Sequence, residues 1–190
     1  LAESAFPLDL YPQIRAPRSL TDSFRSQDGE VRKLRVEVFG AGTATSMVSA
    51  LGGLPAGEFG WRAPYLASHL KGRVGLSLPQ RLKDCGYETA VISPLPFGFV
   101  DEGPFMTSIG IDEYNDFARM RWKSKHERDR VYYAAALRHI EARRAAGAKP
   151  QFVFVLTMAA HSPYNFRFEP DDRAPGEPFG NASAEMEEYL

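Results

Sequence analysis

The sequence predicts an α/β fold: a mainly parallel central sheet flanked by helices, incomplete at both ends. Short apolar runs of strand length, such as 88–93 and 152–156, alternate along the chain with segments of helical character. That alternation builds a parallel sheet, because each strand must be carried back over a face before the next can pair. The run Phe152-Val153-Phe154-Val155-Leu156 is apolar at every position, which suits the buried middle of such a sheet better than a half-exposed strand. No internal repeat is present.

Taken in order, Val36-Glu37-Val38-Phe39 reads as a strand, Gly40-Ala41-Gly42 as a turn, and Thr43 to Leu51 as a helix ended by Gly52, Gly53 and Pro55. From Glu58 to Gly72 the chain is rich in Gly, Pro and aromatic residues without periodicity, which predicts a long ordered loop. Leu78 to Asp84 is a short helix that stops near Gly86 and feeds a strand from Glu88 to Ser93. Pro94-Leu95-Pro96-Phe97-Gly98 must be a loop, since proline denies the ladder a donor. A small helix around Phe105 to Ser108 ends at Gly110, and Ile111 to Phe117 is extended. The strongest helix is expected from about Ser124 to Ala146, with Val131, Ala134, Ala135, Leu137 and Ile140 as its apolar face and Gly147 closing it. The tail from Glu169 to Gly180 is rich in Pro and Gly, and Ala184 to Leu190 begins a further helix.

Composition bounds the function. The 190 residues fit one domain, and 44% apolar with 25% charged residues is the balance of a folded soluble protein. A net charge of −1, from 23 basic and 24 acidic residues, argues against a nucleic-acid binder with a broad basic face. One cysteine, Cys85, excludes an internal disulfide and a cysteine zinc site. No apolar run reaches the roughly 18 residues that span a bilayer. The opening Leu1-Ala2-Glu3-Ser4 has neither Met nor a basic start, so a longer parent chain is expected, whose own anchor this stretch cannot exclude.

Ligands of open α/β sheets bind beyond the carboxyl ends of the strands, and three polar residues are expected there. Thr43 opens a helix behind two glycines, where backbone N–H groups and the helix dipole favour a phosphate or sulfate ester. Its hydroxyl is a nucleophile only when a base or metal activates it. The alternative is that Thr43 is a helix cap and the glycines a turn. His161, in Ala160-His161-Ser162-Pro163-Tyr164, can donate to an anionic oxygen or act as an acid; the alternative is a loop histidine bonded to nearby backbone. Glu3 is a carboxylate for a hard cation, provided that residues before Leu1 supply a strand; otherwise it is a solvated terminal residue. His69, His126 and His139 are surface or packing residues, and Glu127-Arg128-Asp129-Arg130 a solvated helix start.

Glu3-Ser4 with Leu10-Tyr11-Pro12, the run from Val36 to Thr43, Leu51-Gly52-Gly53-Leu54-Pro55, Leu78-Pro79, Cys85-Gly86-Tyr87, Ser108-Ile109-Gly110-Ile111, Glu127-Arg128-Asp129-Arg130 and Thr157-Met158-Ala159-Ala160-His161-Ser162-Pro163-Tyr164 together carry a resemblance. In this order they resemble the sulfatase-like branch of the alkaline phosphatase superfamily. Within it, the likeness is to phosphoglycerol and phosphoethanolamine transferases, including lipoteichoic acid synthases. The resemblance makes residues 1–190 the N-terminal portion of a single sulfatase-like catalytic domain.

It implies one divalent metal (Mn, Zn or Mg) held by Glu3 and Thr43, with Asp and His ligands expected beyond residue 190, so that the fragment itself is inactive. Thr43 would be the nucleophile that carries a covalent intermediate, while Gly42 and His161 contact substrate. A phospholipid or phosphorylated glycan would be the substrate. The parent would sit in the cytoplasmic membrane of a bacterium with this domain facing the periplasm or exterior.

Two positions depart from the family. Ser46-Met47-Val48 replaces a Thr-Glu-Phe-like run, and Pro96-Phe97-Gly98-Phe99 stands where an Arg is expected. Both leave open a different substrate or lost activity. The remaining alternatives are a phosphatase or sulfatase, although Thr43-Ala44-Thr45-Ser46-Met47 is not the formylglycine motif, and a non-catalytic pseudoenzyme that binds an anion or glycan.

Overall fold

A computed structural model describes residues 10, 21–30, 32, 36, 42–122, 127–147 and 149–161. The chain divides into two compact units, one of residues 36–158 with Leu1, the other of Ala2–Arg35 with Ala159–Leu190. The expected strand at 36–39 (except Val36) and the tail beyond His161 lie outside the described residues, and the long helix expected from about Ser124 begins only at Asp129, because Arg128 before it has extended backbone (φ −62°, ψ 147°).

The first unit is a three-layer α/β arrangement. Its strands are β1 (Glu88–Ile92), β2 (Glu113–Asn115) and β3 (Gln151–Val155), all parallel, in the order β2-β1-β3. Its helices are α1 (Thr43–Gly52), α2 (Leu66–Leu70), α3 (Leu78–Asp84), α4 (Glu102–Ser108) and α5 (Asp129–Ala145), with 3-10 segments at Ala56–Tyr65 and Phe99–Asp101. Alternate strand residues face opposite layers. Val91, Phe152 and Phe154 join Met47, Val48, Leu51, Leu66, Phe105 and Met106 on one side. Ile92, Val153 and Val155 join Ala135, Ala136, Met120 and Trp122 on the other.

Both faces of β3 therefore carry apolar contacts, as its unbroken apolar run predicts. Among the described strands β1 holds the centre, and all five β3 residues are half-buried. Coverage of both faces and a central position are separate properties, and an apolar run reports only the first.

Three further expectations change. Residues 58–72 are not a long loop, because most of the segment is the Ala56–Tyr65 3-10 stretch and α2. The stretch is kinked at Gly60 (φ 52°, ψ −130°) and carries Pro64, so no single period runs through it. In α5 the buried stripe is Tyr132, Ala135 and Ala136, and Leu137 is 60% exposed. Leu137 lies five residues beyond Tyr132, about 140° round the helix. Tyr132 belongs to the core because its ring meets Trp122 edge-on at 4.9 Å and its hydroxyl accepts from Glu127 N at 3.1 Å. Burial pushes that phenol up to about 12. Lastly, the 127–130 start of α5 is not fully solvated: Glu127, Arg128 and Asp129 are half-buried, and only Arg130 is exposed.

Helix α3 begins and ends where its sequence predicts. Pro79 sits in its first turn, where no donor is needed, and Ser77 Oγ accepts from Gln80 N at 3.1 Å. The same buried hydroxyl donates to Ile109 O at 2.5 Å, tying α3 to the turn that ends α4. Ser77→Ala leaves both partners unsatisfied and is expected to cost about 1–3 kcal/mol. A urea midpoint lowered at constant slope would measure it; a change within about 0.5 kcal/mol, the range of an ordinary surface substitution, would refute the role.

Asp112, ahead of β2, accepts from Lys83 Nζ (2.6 Å), Thr89 N (3.1 Å) and Thr89 Oγ1 (3.0 Å). Burial pushes toward the neutral form, but Lys83 and Thr89 outweigh it and hold the carboxyl below its ordinary value. The carboxylate therefore stabilises the fold above the unfolded pKa, near 3.9, and that contribution fades as pH falls through the lower folded value. Asp112→Asn is expected to be less stable at neutral pH and to converge on wild type in acid. Parallel stability curves down to low pH would contradict this.

In the second unit, a 3-10 turn at Asp22–Phe24 precedes a turn in which the Arg32 guanidinium bonds Asp28 at 2.6 Å and Asp28 also accepts from Glu30 N at 3.0 Å. Arg32, Ser26 and the Glu30 N–H together hold the Asp28 carboxyl far below the usual range.

Candidate active site

Thr43 is the first helical residue of α1, and Gly42 occupies the cap in the left-handed conformation (φ 83°, ψ 34°). The helix has no side-chain cap. The alternative that Thr43 serves as the cap is thereby excluded, since it lies one residue inside. Thr45 N returns to Gly42 O at 2.9 Å, so the N–H groups of Thr43 and Ala44 project from the helix start by ordinary helix geometry. The amino end of this helix carries a partial positive charge, the arrangement that favours an anion.

The rest of α1 anchors this end. Met47, Val48 and Leu51 are buried in the main core, and Thr45 Oγ1 donates to Ala63 O at 3.0 Å. Met47, where the resemblance expects a carboxylate, is 2% exposed among apolar neighbours. A carboxylate there would lose its hydration without a cation to replace it, so the methionine is a packing choice. Phe97, where an arginine is expected, sets its ring edge-on to Tyr114 at 5.5 Å. Its N–H donates to Asp116 at 3.1 Å, and its carbonyl accepts from Gly103 N at 2.9 Å.

Of the expected site residues, Thr43 and Gly42 are adjacent in the first unit. His161 is partly buried in the second unit, six residues along the chain from the end of β3. Glu3 lies outside the described residues. Among the described residues no three His, Cys, Asp or Glu side chains gather to hold a metal ion, and Gly42, Thr43 and His161 are the described members of the expected set. His69 is exposed on α2, and His126 lies outside the described residues. His139 is partly buried on α5 and lines a groove at the amino ends of the strands, opposite the ligand edge. In that groove Glu88 pairs with Arg143 at 2.5 Å and accepts from Gln151 at 2.7 Å.

One buried polar pair escaped the sequence reading. Glu102, at the start of α4, is 2% exposed and accepts from the Tyr114 hydroxyl at 2.8 Å, just before the carboxyl end of β2. Burial and the neighbouring carboxylate push the Tyr114 phenol far up. Nothing local in Asp101-Glu102-Gly103-Pro104 marks a buried acid; only the return of β2 beside α4 does.

A comparison with protein families matches residues 32–190 to the family described as Sulfatase. The chain belongs to the sulfatase family. Among solved structures, this sulfatase-family domain is similar in fold to the lipoteichoic acid synthase LtaP from Listeria monocytogenes, with a TM-score of 0.64 and 19% identity. The similarity covers 81% of this chain and 37% of that one, so the chain spans well under half of that protein's length. No curated protein matches. The α/β expectation and the resemblance to the sulfatase-like branch of the alkaline phosphatase superfamily are both borne out. The family is one of sulfatase-like hydrolases and phosphotransferases, generally using a divalent metal.

Proposed function

We propose that this sulfatase-family domain transfers a phosphoryl-linked group, of phosphoglycerol or phosphoethanolamine type, from a lipid donor to a glycan or lipid acceptor through a covalent phosphothreonine at Thr43. The observation that carries the reading is the position of Thr43, first in α1 behind left-handed Gly42, within the matched residues 32–190. The structural likeness to a lipoteichoic acid synthase supports transfer over simple hydrolysis.

In the first step Thr43 Oγ forms a bond to phosphorus, the bond from phosphorus to the donor's alcohol oxygen breaks, and that alcohol leaves with a proton. In the second, an acceptor hydroxyl attacks the phosphothreonine, its proton departs, and Thr43 is restored as the hydroxyl. Helix N–H groups at Thr43 and Ala44 neutralise negative charge that grows on the phosphoryl oxygens. His161 is assigned a hydrogen bond to the substrate's anionic oxygen or a proton to the leaving alcohol. The oxygen donors Thr43 and Glu3 suit a hard divalent cation such as Mn²⁺, Mg²⁺ or Zn²⁺, which would make the hydroxyl more acidic and offset phosphate charge.

No described helix is long and apolar enough to cross a membrane. The lipid donor nevertheless assigns the intact protein to the outer side of a bacterial cytoplasmic membrane. The test is incubation of the intact protein with Mn²⁺ and a labelled anionic phospholipid, then peptide mass spectrometry. An adduct on Thr43 carrying the head group supports transfer. Steady release of inorganic phosphate or sulfate without acceptor product would make the protein a hydrolase. No adduct and no metal binding in a folded protein would leave an anion-binding pseudoenzyme.

A further inference from the structure

We infer that the Ala56–Leu70 segment and the turn at Phe99–Asp101 form a surface that docks on an anionic phospholipid bilayer. Large apolar side chains are left in solvent there: Trp61 is 77% exposed, Tyr65 60%, Val100 54% and Phe99 49%. They belong to one tethered patch. Trp61 and Tyr65 share a 3-10 stretch, about 8 Å apart along its axis. Tyr65 leads directly into α2, from which Ser68 Oγ and Lys71 Nζ reach Asp101 at 2.6 and 3.0 Å. The turn that carries Phe99 and Val100 is thereby fastened to α2, which Tyr65 precedes.

Its backbone is not one that burial explains. Val100 and Asp101 are non-glycine residues at φ 43° and 60°, and for a β-branched residue this is strained. In this conformation Val100 stays 54% exposed.

Charge decides the occupant. With Lys71 and Asp101 neutralising each other, Arg62 and Arg73 face a single carboxylate, Glu58, between residues 56 and 75. The Arg62 guanidinium lies 5.3 Å from the Trp61 ring centre, so an aromatic body and a cation are presented together. Tryptophan and tyrosine at the level of the head groups, with arginine and lysine on the phosphates, is the chemistry that an anionic bilayer selects. A second copy docked isologously would set these cations against themselves.

The patch also adjoins Thr43. The 3-10 stretch is tied to α1 two residues beyond Thr43 by the Thr45–Ala63 bond, and the Phe99 turn follows the loop that leaves the carboxyl end of β1. The inference stands whether or not Thr43 is a nucleophile, because its test reads contact with lipid and not turnover.

The protein is mixed with vesicles of equimolar phosphatidylglycerol and phosphatidylcholine, and with phosphatidylcholine alone, and followed by sedimentation and tryptophan emission. Binding is expected on the anionic vesicles, with emission shifted to the blue and quenched by brominated lipid. Trp61→Ala is expected to remove the shift and lower partition about tenfold. Arg62→Ala and Arg73→Ala should each weaken it about fivefold, and salt should weaken the wild type. All three side chains are exposed, and circular dichroism checks that the variants keep the wild-type fold. No sedimentation, equal binding to neutral vesicles, or loss of Trp61 exposure with rising protein concentration in the absence of lipid would each overturn the inference.

Discussion

Thr43→Ala is expected to abolish the covalent adduct and to lower turnover on the order of a thousandfold or more, because no other group replaces an attacking oxygen. The variant should keep its fold. Thr43 is only partly exposed at the helix start and alanine is a good helix former there, so a urea midpoint measured beside turnover tells lost chemistry from lost fold. That separation makes the experiment decisive, since an inactive but equally stable protein cannot be explained by unfolding. Thr43→Ser retains a hydroxyl at the same place and should recover part of the rate. Removal of divalent metal should likewise stop adduct formation in wild type and be reversed by Mn²⁺. Turnover of Thr43→Ala within tenfold of wild type would end the phosphothreonine proposal.

The second large effect is on folding. Gly110 closes the turn after α4 at φ +104°, and a Cβ there would stand 2.8 Å from Gln80 N and 2.9 Å from Gln80 Cα. Both are backbone atoms of α3, held by the Ser77 cap, so the neighbour cannot swing aside as a flexible side chain would. The Gly110 carbonyl also accepts from Thr89 Oγ1 at 2.6 Å, which joins the turn to β1. Gly110→Ala therefore combines backbone strain with overpacking and is expected to cost about 3–5 kcal/mol. Gly86 supplies the control. Its φ is +89°, but a Cβ would meet nothing within 4 Å, so Gly86→Ala should cost only about 1–2 kcal/mol from strain. Equal midpoints for the two variants in urea would show that the contact with Gln80 is not rigid.

Much of the frame is legible in sequence where the determinants are local. Leu78–Asp84 is recovered to the residue because Ser77, Pro79 and Gly86 punctuate it. Thr43 as the first residue of a helix follows from the glycines ahead of it and Gly52-Gly53 behind. The strand at 88–92 and the loop at 94–98 follow from a β-branched run and two prolines. The misses have a common cause. Leu137 is apolar and falls on the face that periodicity predicts, whereas the helix buries Tyr132, whose ring packs on Trp122 from another segment. Residues 56–70 carry no single period, because a kinked 3-10 stretch leads into a five-residue helix.

By itself, then, the sequence determined the alternation of strands and helices, the parallel sheet, the placement of Thr43 at a helix start, and a family pattern spread along the chain. Those features depend on residues close in sequence or on their order. Only the tertiary structure decided that β1 lies at the centre of the described strands, that Met47 is core and not a misplaced site residue, and that Glu102 is buried against Tyr114. It alone showed that Trp61, Tyr65 and Val100 stay in solvent on one fastened patch. Burial is a property of what comes back from elsewhere in the chain to cover a side chain, and no local pattern records that.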